Sequence, residues 1–210
     1  MTKVVLLYVV LVLLLLVGPA AAATHFTQNE FTTAESLDPG MTQTGIHFTV
    51  GDHYTSYYPE IRYGLGALME IGVKFGMTSI DTGSRDEVAA LGGVDLKYQL
   101  IKEAEGIPVD MAVDLGFDNT LLHNRNASEV TFSTIVSKGF PLTERGYKFI
   151  PYGGLEMSSL YGSYSTAADS HTFVYLIGGF QWKIAQKFML LMEVKGGNST
   201  QGGVGIRFEY

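Results

Sequence analysis

The chain has no cysteine. That excludes a disulfide framework and a lipoprotein attachment site. Bases are scarce, 14 Lys and Arg against 21 Asp and Glu, and this argues against nucleic acid as a partner. Long hydrophobic runs are missing after the first one, so no later segment can cross a membrane as a helix. No internal repeat is present. What is abundant is glycine, 25 of 210 residues, together with 12 Tyr and 12 Phe.

The one long apolar run is Val4 to Val17, preceded by Lys3 and followed by Gly18-Pro19 and four alanines. At ~1.5 Å per residue it would span about 21 Å as a helix, short of the ~30 Å hydrocarbon core. We therefore read residues 1–23 as a secretory signal peptide, cut after Ala22 or Ala23. Its removal takes Lys3 with it and leaves 13 bases against 21 acids, a formal charge of −8. Residues 24–43 are polar, contain the turn Asp38-Pro39-Gly40, and read as a periplasmic lead-in tucked toward a barrel mouth.

Residues 44–210 carry a period-two pattern. In Gly202 to Tyr210, Val204, Ile206, Phe208 and Tyr210 share one face, and Arg207 and Glu209 share the other. The clearest example is Val109 to Phe117, where Val109, Met111, Val113, Leu115 and Phe117 alternate with Asp110, Ala112, Asp114 and Gly116. Ten such runs are expected, beginning near Thr44, Pro59, Ala67, Val88, Val109, Glu129, Tyr147, Thr172, Lys187 and Gly202. Asp118 to Ala127 reads as a loop. Pro151 falls inside the seventh run, cannot donate to a ladder, and leads us to expect a bulge or a later strand start.

A soluble β-sandwich and a membrane barrel both fit an exported, glycine-rich, acidic chain. Three features favour the barrel. The polar faces carry full charges: Glu60, Arg62, Glu70, Lys74, Asp95, Lys97, Asp110, Asp114, Glu129, Glu156, Lys183, Glu193, Lys195, Arg207 and Glu209. Even-numbered connections read as short and most odd-numbered ones as longer and more polar, as periplasmic turns and outer loops would be. Aromatics also sort by strand end. Tyr63, Tyr98, Phe140, Phe149, Trp182, Phe188 and Tyr210 form one expected girdle, and Tyr54, Tyr57, Phe75, Phe117 and Tyr161 the other. The expected fold is thus all-β: an antiparallel up-and-down transmembrane barrel of ten strands, with eight the alternative.

On these features the chain resembles the small outer-membrane β-barrels of Gram-negative bacteria, the broad class of OmpA-, OmpX- and OmpW-like barrels. The match rests on the leader, the ten alternating runs and the ending Ile206-Arg207-Phe208-Glu209-Tyr210. Pro59-Glu60-Ile61-Arg62-Tyr63-Gly64 and Gly92-Gly93-Val94-Asp95-Leu96-Lys97-Tyr98 also look like stretches of functionally unassigned members. We expect a monomer in contact with outer-membrane lipid and lipopolysaccharide, and the resemblance implies an outer-membrane location. It further implies that Phe208 and Tyr210 serve as the signal read by the barrel-assembly machinery. It implies no activity and no cofactor.

Candidate chemistry is sparse. His25, His123 and His171 lie in the lead-in or by loops, while His47 and His53 share the inward parity of the first strand. Similar barrel hydrolases pair a His with a Ser and a carboxylate, but the near neighbours of His47 and His53 are threonines. Asp52 and His53 are adjacent and would point to opposite faces. Loop acids Asp81, Asp86, Glu87, Asp118 and Asp169 suit a hard cation but match no loop motif. Asn126-Ala-Ser128 and Asn198-Ser-Thr200 are glycosylation sequons by pattern alone. The expected function is structural, or a narrow cation-leaning pore. The alternatives are a lipid- or peptide-acting barrel enzyme and a surface adhesin or receptor.

Overall fold

The structure is a computed structural model and describes residues 31–81, 86–103, 107–122, 125–142, 147–162, 171–197 and 199–210. The leader expected over 1–23, with His25 and His123, lies outside these residues. Among the described residues the regular elements are all strands: β1 (Thr42–Gly51), β2 (Tyr54–Gly66), β3 (Met69–Asp81), β4 (Asp86–Ile101), β5 (Asp110–Leu122), β6 (Arg125–Ser137), β7 (Phe140–Pro141), β8 (Lys148–Gly162), β9 (His171–Ala185), β10 (Phe188–Gly197) and β11 (Thr200–Glu209).

Each long strand pairs antiparallel with its chain neighbours, β6 with β8, and β11 with β1. The two-residue β7 is an appendage to β8. The result is a closed barrel of ten staves, so eight strands is the wrong count. Closure satisfies every strand edge, as a sheet immersed in lipid requires.

Alternation sets the face of each side chain, and the sense is inverted relative to a soluble protein. Along β5, Asp110, Ala112, Asp114, Asp118 and Thr120 are buried, whereas Leu115, Phe117 and Leu121 are exposed. Exposed apolar residues line up across the seams, as in Phe48↔Val204, Leu96↔Leu115 and Phe132↔Met157. An exterior of this kind is stable only in an apolar solvent.

Four expectations need correction. The strands run further than the apolar pattern, because Tyr54 to Tyr58, Thr78 to Asp81, Asp118 to Leu122 and Arg125 to Ala127 stay in the ladder. Several outward residues there are polar (Thr55, Ser79, Asn119, Ser128), so the contrast between the faces weakens while the ladder goes on. Asp118 is therefore a wall residue, not a loop residue. The same extension removes the loop asymmetry: β1 joins β2 through Asp52-His53 alone, while the passage from β6 to β8 at the opposite rim takes residues 138–147.

Tyr54 does not join the outer girdle. It is 5 % exposed and points inward to Gln201, sharing parity with Tyr58 and Glu60. At Pro151 no bulge forms; its register with Phe180 is continuous. The Lys138 amide donates to the Pro151 carbonyl (3.2 Å), so Pro151 faces the β6 side. That position is one step past the last β6–β8 partners, Ser137↔Tyr152, so the absent proline N–H falls at the end of the ladder and not within it.

Candidate functional site

The interior is the site. Of the fifteen charged residues placed on the inner face from sequence, all but Lys183 and Glu209 are buried. Those two pair with each other at 3.0 Å near the rim that carries Thr42 and Tyr210, with side chains 24 % and 20 % exposed.

Strand register explains how the rest meet. Arg62 on β2 reaches Glu60 (2.7 Å), Glu70 (2.8 Å) and Asp95 (2.5 Å), the last lying across β3 on β4. Gly72, the residue of β3 that faces both Arg62 and Asp95, makes that crossing possible. A Cβ there would collide with the Asp95 carboxylate. Asp114 on β5 lies 3.9 Å from the same guanidinium. Lys74 likewise crosses β4 to Asp118 at 2.9 Å, past Gly93. Glu60 also receives Arg207 (2.6 Å) and His47 (3.1 Å).

On the far side of the lumen Lys195 pairs with Glu156 at 2.6 Å, and Ser158 donates to Glu129. The Tyr152 hydroxyl donates to Glu193 at 2.8 Å. Asp110 accepts from the Gln99 amide at 2.9 Å. Most of these charges are thus met by a counter-charge or a polar side chain from a nearby strand, which lowers the cost of burying them.

What fills the centre comes from the polar segment ahead of β1. Residues 31–37 thread into the lumen and fold back at Asp38-Pro39-Gly40. That turn is closed by the Met41 amide on the Asp38 carbonyl (3.0 Å) and held to the rim by the Gly40 amide on the Gly64 carbonyl (2.9 Å) and the Gly64 amide on the Met41 carbonyl (3.0 Å). Gly40 has φ +80°, which suits glycine.

Phe31 is 0 % exposed and packs with Tyr58, Leu91, Met189 and Leu191. Its ring stacks on His47 at 4.7 Å, and His47 stacks on Tyr58 at 5.3 Å. Ala34 sits among Ala112, Ile135, Tyr152 and Ile177. The sequence placed residues 24–43 at the barrel mouth but showed neither how far residues 31–37 enter the lumen nor their apolar seats, though the inward parity of Leu91, Ile135, Ile177 and Leu191 was an available signal.

Segment amides donate to wall side chains: Phe31 to Glu193 (2.9 Å), Ala34 to Ser137 (3.1 Å), Ser36 to Gln99 (3.0 Å) and Leu37 to Glu70 (2.8 Å). Lys97, bound to Glu70 at 2.9 Å, also donates to Thr32 Oγ1 (2.9 Å) and the carbonyls of Thr33 (2.7 Å) and Glu35 (2.9 Å). The Glu35 side chain pairs with Lys148 at 2.6 Å. A cavity of ≈ 180 Å³ remains at this rim, lined by Thr33, Glu35, Lys148, Lys183, Arg207 and Glu209 among others.

His47 is enclosed by Phe31, Tyr58 and Glu60. His53 lies in the turn between β1 and β2, and His171 begins β9. Of the loop acids, Asp81 and Asp86 are register partners at the end of the β3–β4 ladder and Asp169 lies outside the described residues; among the described residues no cluster of His and acids could hold a metal. Phe208 and Tyr210 are exposed on the outer face of β11 and beyond it. The Tyr210 amide and carbonyl bond Thr42 reciprocally at 2.9 Å, and its hydroxyl meets that of Thr44. The last residue therefore completes the β1–β11 seam.

Fold and site together define a small transmembrane β-barrel with an ionic, internally plugged lumen. No family model and no curated protein matches the sequence. Among solved structures it is similar to the amino-terminal barrel domain of Pseudomonas aeruginosa OprF (10 % identity, 83 % of this chain and 100 % of that one, TM-score 0.39). It is also similar to the β domain of the Bordetella autotransporter BrkA (9 %, 82 % and 100 %, TM-score 0.48). A third is Neisserial surface protein A (10 %, 81 % and 95 %, TM-score 0.37). These likenesses concern the fold alone.

Proposed function

We propose that the protein is a monomer of a bacterial outer membrane, exported by a cleaved signal peptide. In this reading it acts structurally, with at most a narrow, cation-leaning path, and not as an enzyme or adhesin. The observation that carries this is the occupied lumen: ten staves enclose little more than the ~8 whose side chains just fill a barrel, and residues 31–37 fill the remainder. The acidic excess of the wall, to which Asp118 adds one more carboxylate, supports the cation preference. Outer-membrane lipid and lipopolysaccharide are its surroundings, and Thr42 and Tyr210 mark the periplasmic rim.

Single-channel recording on refolded protein tests this reading. The wild type should show no porin-sized conductance, only silence or small cation-preferring steps. Lys97→Gln should raise cation flux, because it removes one of the two counter-charges of Glu70 and releases the carbonyls of Thr33 and Glu35. The outward change Leu96→Val should leave the current unaltered. Large anion-selective channels from the purified wild type would refute the proposal.

Assembly gives a second test. Deleting Tyr210 removes the reciprocal bonds to Thr42 and the terminal aromatic. Export should continue while the amount of barrel in the outer membrane falls, as read by fractionation and immunoblot. Undiminished levels would strip the last residue of its role in assembly.

A further inference from the structure

The plug is held in an unusual way. Wall amides and carbonyls are committed to the barrel ladder, so the segment cannot add as another strand. Among the described residues, no main-chain bond joins 31–37 to the sheet. Its amides go instead to four wall side chains, and its carbonyls to one lysine. Those contacts read main chain at residues 31, 33, 34, 35, 36 and 37. Side-chain contacts are made by Phe31 and Ala34 in apolar seats, the Thr32 hydroxyl on Lys97, the Ser36 hydroxyl on the Leu68 carbonyl and the Glu35–Lys148 pair at the rim, with Thr33 and Leu37 buried beside them.

Two further features separate the segment from the wall. Phe31 has φ 47°, in the left-handed region that a bulky L residue avoids, and stays there under the contacts around its ring. The turn Asp38-Pro39-Gly40 is anchored to Gly64 independently of everything beyond it. The segment can therefore leave without opening the barrel: no ladder unzips, and backbone strain at Phe31 is relieved.

We propose that the inner wall formed by Glu70, Lys97, Gln99, Ser137 and Glu193 is a binding site for an extended peptide main chain. The chain's own residues 31–37 occupy it, and a peptide of like backbone can exchange with them. This goes beyond the closed-lumen reading above and rests on it. The ligand class follows from the donors and acceptors on the wall: carboxylate, amide and hydroxyl oxygens for peptide N–H groups, an ammonium for peptide carbonyls, and one aromatic seat formed by His47 and Tyr58.

The absence of native cysteine makes the test clean. A single reporter, Ala34→Cys, is placed in the refolded full-length barrel and labelled with a water-soluble thiol reagent. A synthetic peptide of residues 31–40 is then added in excess. Displacement of the segment should raise the labelling rate saturably with peptide concentration. Methylating the peptide amides of residues 34 and 37 removes the donors to Ser137 and Glu70 and should weaken competition about tenfold or more. Ser36→Cys, nearer the rim, serves as the reporter if Ala34→Cys does not refold.

A labelling rate indifferent to peptide, with the thiol reacting only when the barrel unfolds on a gel, would overturn the exchangeable site. It would leave the closed lumen intact, since electrical silence is read independently. Equal competition by the methylated peptide would overturn main-chain recognition.

Discussion

Leu115→Arg should destabilise the barrel in a bilayer by ~2–4 kcal/mol, the cost of a cation on the lipid face near the midplane. Leu115 is 53 % exposed, in the outward row Met111, Val113, Leu115 and Phe117 of β5, and faces Leu96 and Phe132 on either side. The neighbouring Asp114 points the other way, toward Arg62. Asp114→Asn should therefore cost much less, by loss of a 3.9 Å contact in a crowded network. Gly116→Arg also points inward, where the Thr131 hydroxyl already fills the space, and fails by crowding rather than by exposure to lipid. Reversible urea unfolding from lipid vesicles, followed at the single Trp182, measures all three. Should Leu115→Arg prove as stable as Asp114→Asn, the two faces of β5 have been exchanged.

Removing the Arg62 guanidinium should be comparably severe. Arg62→Met keeps most of the volume but leaves Glu60, Glu70 and Asp95 buried without their shared counter-charge. Breaking one side of a buried ionic group costs about 3–5 kcal/mol. Arg207 and Lys97 offset part of this, since they still hold Glu60 and Glu70, so Asp95 suffers most. By contrast Lys183→Gln breaks a half-exposed pair at the rim and should cost about 0–1 kcal/mol. An Arg62→Met barrel that refolds with wild-type urea midpoint would mean that the ion pairs merely decorate the lumen. The folded fraction is scored from mobility on an unboiled denaturing gel, where a closed sheet resists unzipping.

Local pattern carries a transmembrane strand because each residue's face depends only on its parity. That is why Asp95, Lys97, Asp114 and Glu156 could be assigned to the inner face without knowing their neighbours. The same rule would have extended β5 through Asp118 and Thr120 and turned Tyr54 inward. It was lost where the outward residues became polar, for there the contrast between faces disappears although the ladder persists. Pro151 misled for a different reason: its tolerance depends on where β6 ends, which is set by the partner strand and not by β8.

From the order of residues alone came the all-β class, the ten alternating runs, the charged inner face and the aromatic ending that meets Thr42. These are properties of neighbours two apart, and a short window contains them. Pairing across strands is another matter. That Arg62 serves three carboxylates, that Gly72 clears its path to Asp95, and that residues 31–37 occupy the lumen all depend on closure. Closure brings β1 against β11 and β6 against β8, joining positions more than a hundred residues apart in the first case. The plug was the least visible, because its amides bind side chains scattered over β3, β4, β6 and β10. Those groups become a single binding surface only when the wall curves around them.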